Sequence, residues 1–277
     1  MPTPAWIDTD DGTRIAAYDF GGTGPPLLFA HATGFHAHVW SPVVARLTDT
    51  FHCYAFDERG HGASTSPPNR DFSWHRFGED ARAVTERFGL DRPFVAGHSA
   101  GGALLLLAEQ DHPGSWRAAW TFEPVVPPPR PPGQLENPLS AGARKRRAHF
   151  DSLADAHANF ASKPAFGHFD PHALRAYVDH GFVPDSAGGV TLACRPEDEA
   201  ATYDQAFIAG AWDRLPDVQM PVQVVYGGDS THFPADIMMA VADRLGSGTL
   251  EPLAGLGHFG PFESPAIVAD SIRRSLA

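Results

Sequence analysis

The stretch Phe94-Val95-Ala96-Gly97-His98-Ser99-Ala100-Gly101-Gly102 joins a short apolar run to Gly-x-Ser-x-Gly, and the helix-forming Ala103-Leu104-Leu105-Leu106-Leu107-Ala108-Glu109 follows at once. This reads as strand, sharp turn and helix, with a serine at the apex of the turn, the arrangement of a nucleophile elbow. A serine on so tight a turn occupies a strained backbone region, and Gly97 and Gly101 remove the Cβ atoms that would collide there. A serine hydroxyl is a weak nucleophile at neutral pH. Acyl transfer therefore needs a base within hydrogen-bond reach, an acid that orients the base, and N–H donors for the tetrahedral oxyanion.

Two earlier segments share the strand-then-loop design. Pro25-Pro26-Leu27-Leu28-Phe29-Ala30 is apolar without alternation, as in a strand buried on both faces, and it ends in His31-Ala32-Thr33-Gly34-Phe35. In an open α/β sheet, ligand sites form beyond the carboxyl ends of the strands, so backbone N–H groups of this loop can point into one. Phe51 to Phe56 is a second such strand, and it runs into Asp57-Glu58-Arg59-Gly60-His61-Gly62-Ala63-Ser64.

Taken in order, His-x-x-Gly, Asp-x-Arg-Gly-His-Gly-x-Ser and Gly-x-Ser-x-Gly resemble the α/β-hydrolase family over nearly the whole chain outside a middle segment. The resemblance implies an α/β-hydrolase fold: a mostly parallel central sheet flanked by helices, with an inserted helical cap. It makes Ser99 the nucleophile and places the catalytic histidine in the loop after the last strand, Gly255-Leu256-Gly257-His258-Phe259-Gly260. His258 is thus the expected general base. The oxyanion donors are expected to be the backbone N–H groups of Ala100 and Thr33. The Arg59 to Ser64 turn and His31 are read as structural.

The acid departs from the family pattern. The family usually writes Gly-x-x-Asp after the penultimate strand; counting from Gly227 puts Ser230 at that place, with Asp229 one residue earlier. Some members carry the acid after the preceding strand instead, and Glu123 sits at the matching point. Asp229 and Glu123 stand nearly level as the triad acid, with Glu123 slightly favoured. A serine rather than an aspartate at the elbow argues against epoxide hydrolases and haloalkane dehalogenases of this fold. Hydrolysis of a carboxylic ester, thioester or lactone is the expected reaction. C–C hydrolysis, perhydrolysis, acyl transfer, or a non-catalytic ligand-binding member of the fold are the alternatives.

The remaining chain must position these residues. Ala5 to Phe20 suggests an edge hairpin, and Trp74 to Phe88 has Phe77, Ala81, Val84 and Phe88 on one helical face. A strand over Trp116 to Phe122 precedes Glu123. Composition then shifts: seven prolines fall between Pro124 and Pro138, and the next strand begins at Val222. We expect residues 1–124 and 216–277 to form the core and 125–215 a helical cap. Helices are expected around Ala141 to Phe150, after Ser152, from Asp170 to Gly181, and from Pro196 to near Gly210. Phe150, Phe160, Phe166, Phe169, Phe182 and Phe207 fit core packing of the cap, or an apolar acyl pocket. Arg144-Lys145-Arg146-Arg147 cannot all share one solvated face, since helix residues are about 100° apart. Solvated or snorkelling side chains are favoured there over a pocket for an anionic group.

Composition bounds the partners. A chain of 277 residues with 43% hydrophobic residues can bury a sizeable core. With 33 acidic and 21 basic residues the formal charge is −12, which disfavours nucleic acid and anionic membrane surfaces. Cys53 and Cys194 make neither a disulfide framework nor a metal cluster, and His36 and His38 lack a carboxylate or cysteine at ligand spacing. No metal or other cofactor is expected. The expectation is a soluble cytoplasmic enzyme for a small molecule with an apolar acyl part; the sequence carries no signal for oligomeric state.

Overall fold

The computed structural model describes residues 2–129 and 137–277. Met1 and residues 130–136, the middle of the proline-rich stretch, lie outside the described residues. Eight strands form one sheet: β1 (Ala5–Asp8), β2 (Arg14–Gly21), β3 (Pro26–Ala30), β4 (His52–Phe56), β5 (Phe94–His98) and β6 (Ala119–Phe122) come before the middle segment. That segment contributes a separate antiparallel sheet of β7 (His149–Phe150), β8 (Phe182–Pro184) and β9 (Val190–Leu192). The main sheet is completed by β10 (Val222–Gly227) and β11 (Gly248–Leu253), and its spatial order is β1-β2-β4-β3-β5-β6-β10-β11. The hairpin of β1 and β2 is antiparallel; the six strands from β4 to β11 run parallel.

The central strands β3, β5 and β6 are buried nearly throughout, as in a parallel sheet with helices on both faces, whereas the edge strand β11 carries the exposed Thr249 and the half-buried Glu251. Helices α1 (Ser41–Val44), α2 (Trp74–Phe88) and α3 (Ala100–Asp111) precede the middle segment. Helix α2 buries Phe77, Ala81 and Val84 and stops at Gly89, whose left-handed φ of 63° lets its N–H reach back to Glu86 and Thr85. Helix α3 is buried from Ala100 to Gln110, which suits a helix that is apolar all round. After β10 come α8 (Ala235–Arg244), α9 (Gly260–Glu263) and α10 (Pro265–Leu276), once α4 (Pro138–Arg144), α5 (Leu153–Ala161), α6 (Pro171–His180) and α7 (Pro196–Gln205) have been threaded through the middle segment.

In that segment Ser152 caps α5 through Asp155 N–H, and Asp170 caps α6 through the N–H groups of His172 and Ala173. The expected helix from Ala141 to Phe150 does not extend so far. It starts at Pro138 and ends at Arg144, and Phe150 joins a strand instead, because that places its ring against Phe160 and Phe182 at centroid distances of 6.1 and 5.6 Å. The segment is therefore helical with a small sheet. Its α7 is tied to α2 by the Trp74 indole N–H, which donates to Thr202 O at 3.0 Å.

Candidate active site

Ser99 stands between β5 and α3 at φ 57° and ψ −117°, a region L-residues seldom adopt. Backbone contacts hold it there: its N–H donates to Phe122 O at 2.9 Å, and its carbonyl accepts from Val125 N at 3.2 Å. The flanking glycines are required by close approach. A Cβ on Gly97 would lie 2.6 Å from Gly102 N, and one on Gly101 would lie 2.5 Å from the carbonyl oxygens of Ala30 and His31. The elbow thus presses against the end of β3, which brings the His31 loop beside the serine.

The loop after β3 is fixed by an internal histidine. His31 Nε2 accepts from Glu58 N–H at 2.9 Å, so its Nδ1 carries the proton and donates to Ala32 O at 2.8 Å. Burial drives the pKa of His31 well below the usual value, which keeps it in this neutral form. Because a trans peptide is planar, anchoring Ala32 C=O also sets the direction of Thr33 N–H on the opposite side. Among the described residues neither Thr33 N–H nor Ala100 N–H donates a hydrogen bond, and both residues line the cavity that holds Ser99.

Asp57 braces the same loop from β4. Its carboxylate accepts from the N–H groups of Ala37 and Ala63 at 2.7 and 2.8 Å and from Tyr18 Oη at 2.9 Å, while burial raises its pKa to about 6 against those bonds. Arg59 is buried and bidentate to Asp80, with both bonds at 2.8 Å, so the Arg59 to Ser64 turn meets structural partners.

The two carboxylates weighed from the sequence occupy unlike places. Glu123 follows β6 at φ 44°, is fully buried, and accepts from His258 Nδ1–H through Oε2 at 2.6 Å. Its other contacts come from the loop after β10: Gly227 N–H at 3.0 Å to Oε1, and Ser230 Oγ–H at 3.0 Å to Oε2. Asp229 is exposed, and its side chain has no hydrogen bond or ion pair among the described residues. Ser230, at the place where the family pattern asks for an aspartate, thus supplies a donor to the carboxylate one strand away.

His258 itself is held on several sides. Its carbonyl accepts from His98 Nε2–H at 2.8 Å, and its ring lies 5.2 Å from that of His232 and 5.3 Å from that of Phe233. Burial first, and the neighbouring His258 second, push the pKa of His98 well below the usual value, so His98 is a neutral donor. Sequence reasoning passed over His98, although as the residue before the serine its side chain had to fall beside the elbow. His258 Nε2 has no hydrogen-bond partner among the described residues, and the ring faces the same cavity of about 470 Å³ as Ser99. Donors, hydroxyl and imidazole converge on one space.

The rest of the cavity comes from the middle segment. Phe160, Phe166 and Phe207 line it, whereas Phe150, Phe169 and Phe182 are buried in the core. Of the four consecutive cations, Arg144 pairs outward with Asp204 at 2.9 Å, Arg147 lies over the Phe150 ring, and Arg146 turns into the cavity. The solvated reading of that run therefore fails at Arg146. His36 Nε2–H donates to Tyr177 O at 3.1 Å, and His38 stacks on His180 at a centroid distance of 4.0 Å; neither lines the cavity that holds Ser99. No helix among the described residues is long and apolar enough to cross a membrane.

A strand-turn-helix serine, a histidine in the last loop and a carboxylate at a strand end meet at one edge of a parallel sheet covered by helices. The profile of the α/β-hydrolase fold matches residues 25–265, and the chain belongs to that family. A 2-(acetamidomethylene)succinate hydrolase of Mesorhizobium japonicum is 26% identical over 229 residues, covering 81% of this chain and 77% of the relative. An N-formylmaleamate deformylase of Pseudomonas putida is 32% identical over 121 residues, covering 43% of this chain and 45% of the relative. The crystal structure of an E-2-(acetamidomethylene)succinate hydrolase superposes with a TM-score of 0.87 at 21% identity, over 100% of this chain and 99% of that one.

Proposed function

We propose that the chain is a serine hydrolase that cleaves the acyl bond of a small molecule through a covalent acyl-enzyme. The observation that carries this reading is the 2.6 Å bond from His258 Nδ1 to the buried Glu123, on the wall of the cavity that contains Ser99. In it, His258 Nε2 takes the proton of Ser99 Oγ as the oxygen attacks the substrate carbonyl. Glu123 holds the ring in the Nδ1–H tautomer and stabilises the imidazolium that forms. Thr33 and Ala100 N–H donate to the oxyanion, with the amino end of α3 adding its dipole. His258 then returns the proton to the leaving group, and water repeats the sequence in reverse to release the acid.

The scissile bond is an ester or N-acyl bond. The carboxylic ester expected first from the sequence is the less supported of the two, because the relatives are named for an acetamido-bearing succinate and for an N-formyl group. The test is labelling by a fluorophosphonate with peptide mapping, followed by turnover on a panel of short-chain p-nitrophenyl esters and N-acyl compounds. An adduct on Ser99, and loss of both labelling and turnover in Ser99→Ala with an unchanged circular dichroism spectrum, is the expected result. A chain that is neither labelled nor active is a ligand-binding member of the fold, and the proposal fails.

A further inference from the structure

Among the described residues, the charged side chains lining the cavity are Arg146, Lys163 and Glu199. Two cations against one carboxylate is a positive excess in a chain whose formal charge is −12. Arg146 sits in the interior, its side chain only 20% exposed, with one guanidinium nitrogen on Glu199 and another donating to Tyr177 Oη at 2.8 Å. A guanidinium has five donors, so these two bonds leave capacity toward the cavity. Lys163 has no carboxylate partner among the described residues, and its Nζ stands 4.5 Å from the centre of the Phe160 ring. Arg146 Cζ lies 6.0 Å from the same ring. Two cations therefore stand by the Phe160 ring, and among the described lining residues Glu199 is the one carboxylate. Partial burial and the charge of Arg146 both pull the Lys163 pKa down, the direction expected of cations that lack a second anion.

Position adds a length. A Cβ on Gly34 would lie 2.9 Å from Glu199 Oε1 and 3.2 Å from an Arg146 guanidinium nitrogen. The ion pair thus rests directly on the loop whose Thr33 N–H is the assigned oxyanion donor. An anion held there is separated from the reacting carbonyl by only a few bonds.

We infer that Arg146 and Lys163 form a carboxylate subsite, so that the substrate is a short acyl compound carrying a carboxylate near the scissile carbonyl. The substrate class rests on the hydrolase reading; the anion site does not. Arg146 is a directional donor held by Glu199 and Tyr177, and Lys163 supplies the unpaired charge. The apolar remainder of the cavity, with Phe160, Phe166 and Phe207, takes the uncharged part.

The test compares succinate with its neutral isostere succinamide on the full chain by isothermal titration calorimetry. Succinate is expected to bind at least tenfold more tightly than succinamide, with the difference shrinking between 50 and 500 mM NaCl. Lys163→Gln and Arg146→Gln are each expected to weaken succinate tenfold or more. If Arg146→Gln loses its native circular dichroism, Lys163→Gln decides alone. Equal affinity for the two ligands, or unchanged succinate affinity in Lys163→Gln, overturns the inference. Fluorophosphonate labelling separates the two claims: succinate selectivity without labelling keeps the anion site and removes the hydrolase, and labelling without succinate selectivity does the reverse.

Discussion

Two loops leave neighbouring parallel strands at the same edge of the sheet, one after β6 and one after β10, and each carries a carboxylate. Glu123 in the first is fully buried, sits at a positive φ, and accepts three hydrogen bonds, from His258, Gly227 and Ser230. Asp229 in the second is exposed. The difference teaches how the fold distributes one role over two strands. On the proposed reading Glu123 is the acid, and the loop after β10 serves it with a hydroxyl and an amide rather than a carboxylate. A buried carboxylate is tolerable only when its lone pairs are satisfied, and here the loop that lacks the acid satisfies them.

Substitutions test that contrast. The largest effect is expected for Glu123→Gln, which keeps size and removes the charge that orients His258: kcat/KM should fall about 10³- to 10⁴-fold in a steady-state assay on the best substrate of the panel. Next comes Ser230→Ala. Its hydroxyl shares Oε2 of Glu123 with His258, and loss of this one charge-assisted bond should cost about 1.4 kcal/mol in the transition state, a tenfold fall in kcat/KM. The smallest effect belongs to Asp229→Asn, whose turnover should stay within about twofold of the parent, since an exposed side chain without partners contributes little. A fall in Asp229→Asn that matches Glu123→Gln would erase the contrast.

Much of the scaffold was legible because its signals are local. The buried strands carry unbroken apolar runs, α2 carries its periodicity, and the elbow glycines are demanded by contacts as close as 2.5 Å. The places of Thr33 and Ala100 at the cavity share that legibility, since a backbone N–H is placed by chain geometry and not by its side chain. Which carboxylate lies beside His258 was harder to read. Glu123 and Asp229 both follow strands on the proper edge, and only the path of the loop after β10 decides which carboxylate turns inward. Arg146 was hidden for a related reason: which of four consecutive cations enters the cavity depends on α4 ending at Arg144, and Phe150 joining a strand is a tertiary preference that no helical period announces.

Fluorophosphonate labelling rates of the parent, Glu123→Gln and Asp229→Asn, measured side by side with the adduct mapped by mass spectrometry, test the assignment most directly. The account predicts an adduct on Ser99 that forms at nearly the parent rate in Asp229→Asn and at least a hundredfold more slowly in Glu123→Gln. Equal rates in the two variants, or an adduct elsewhere than Ser99, would contradict it.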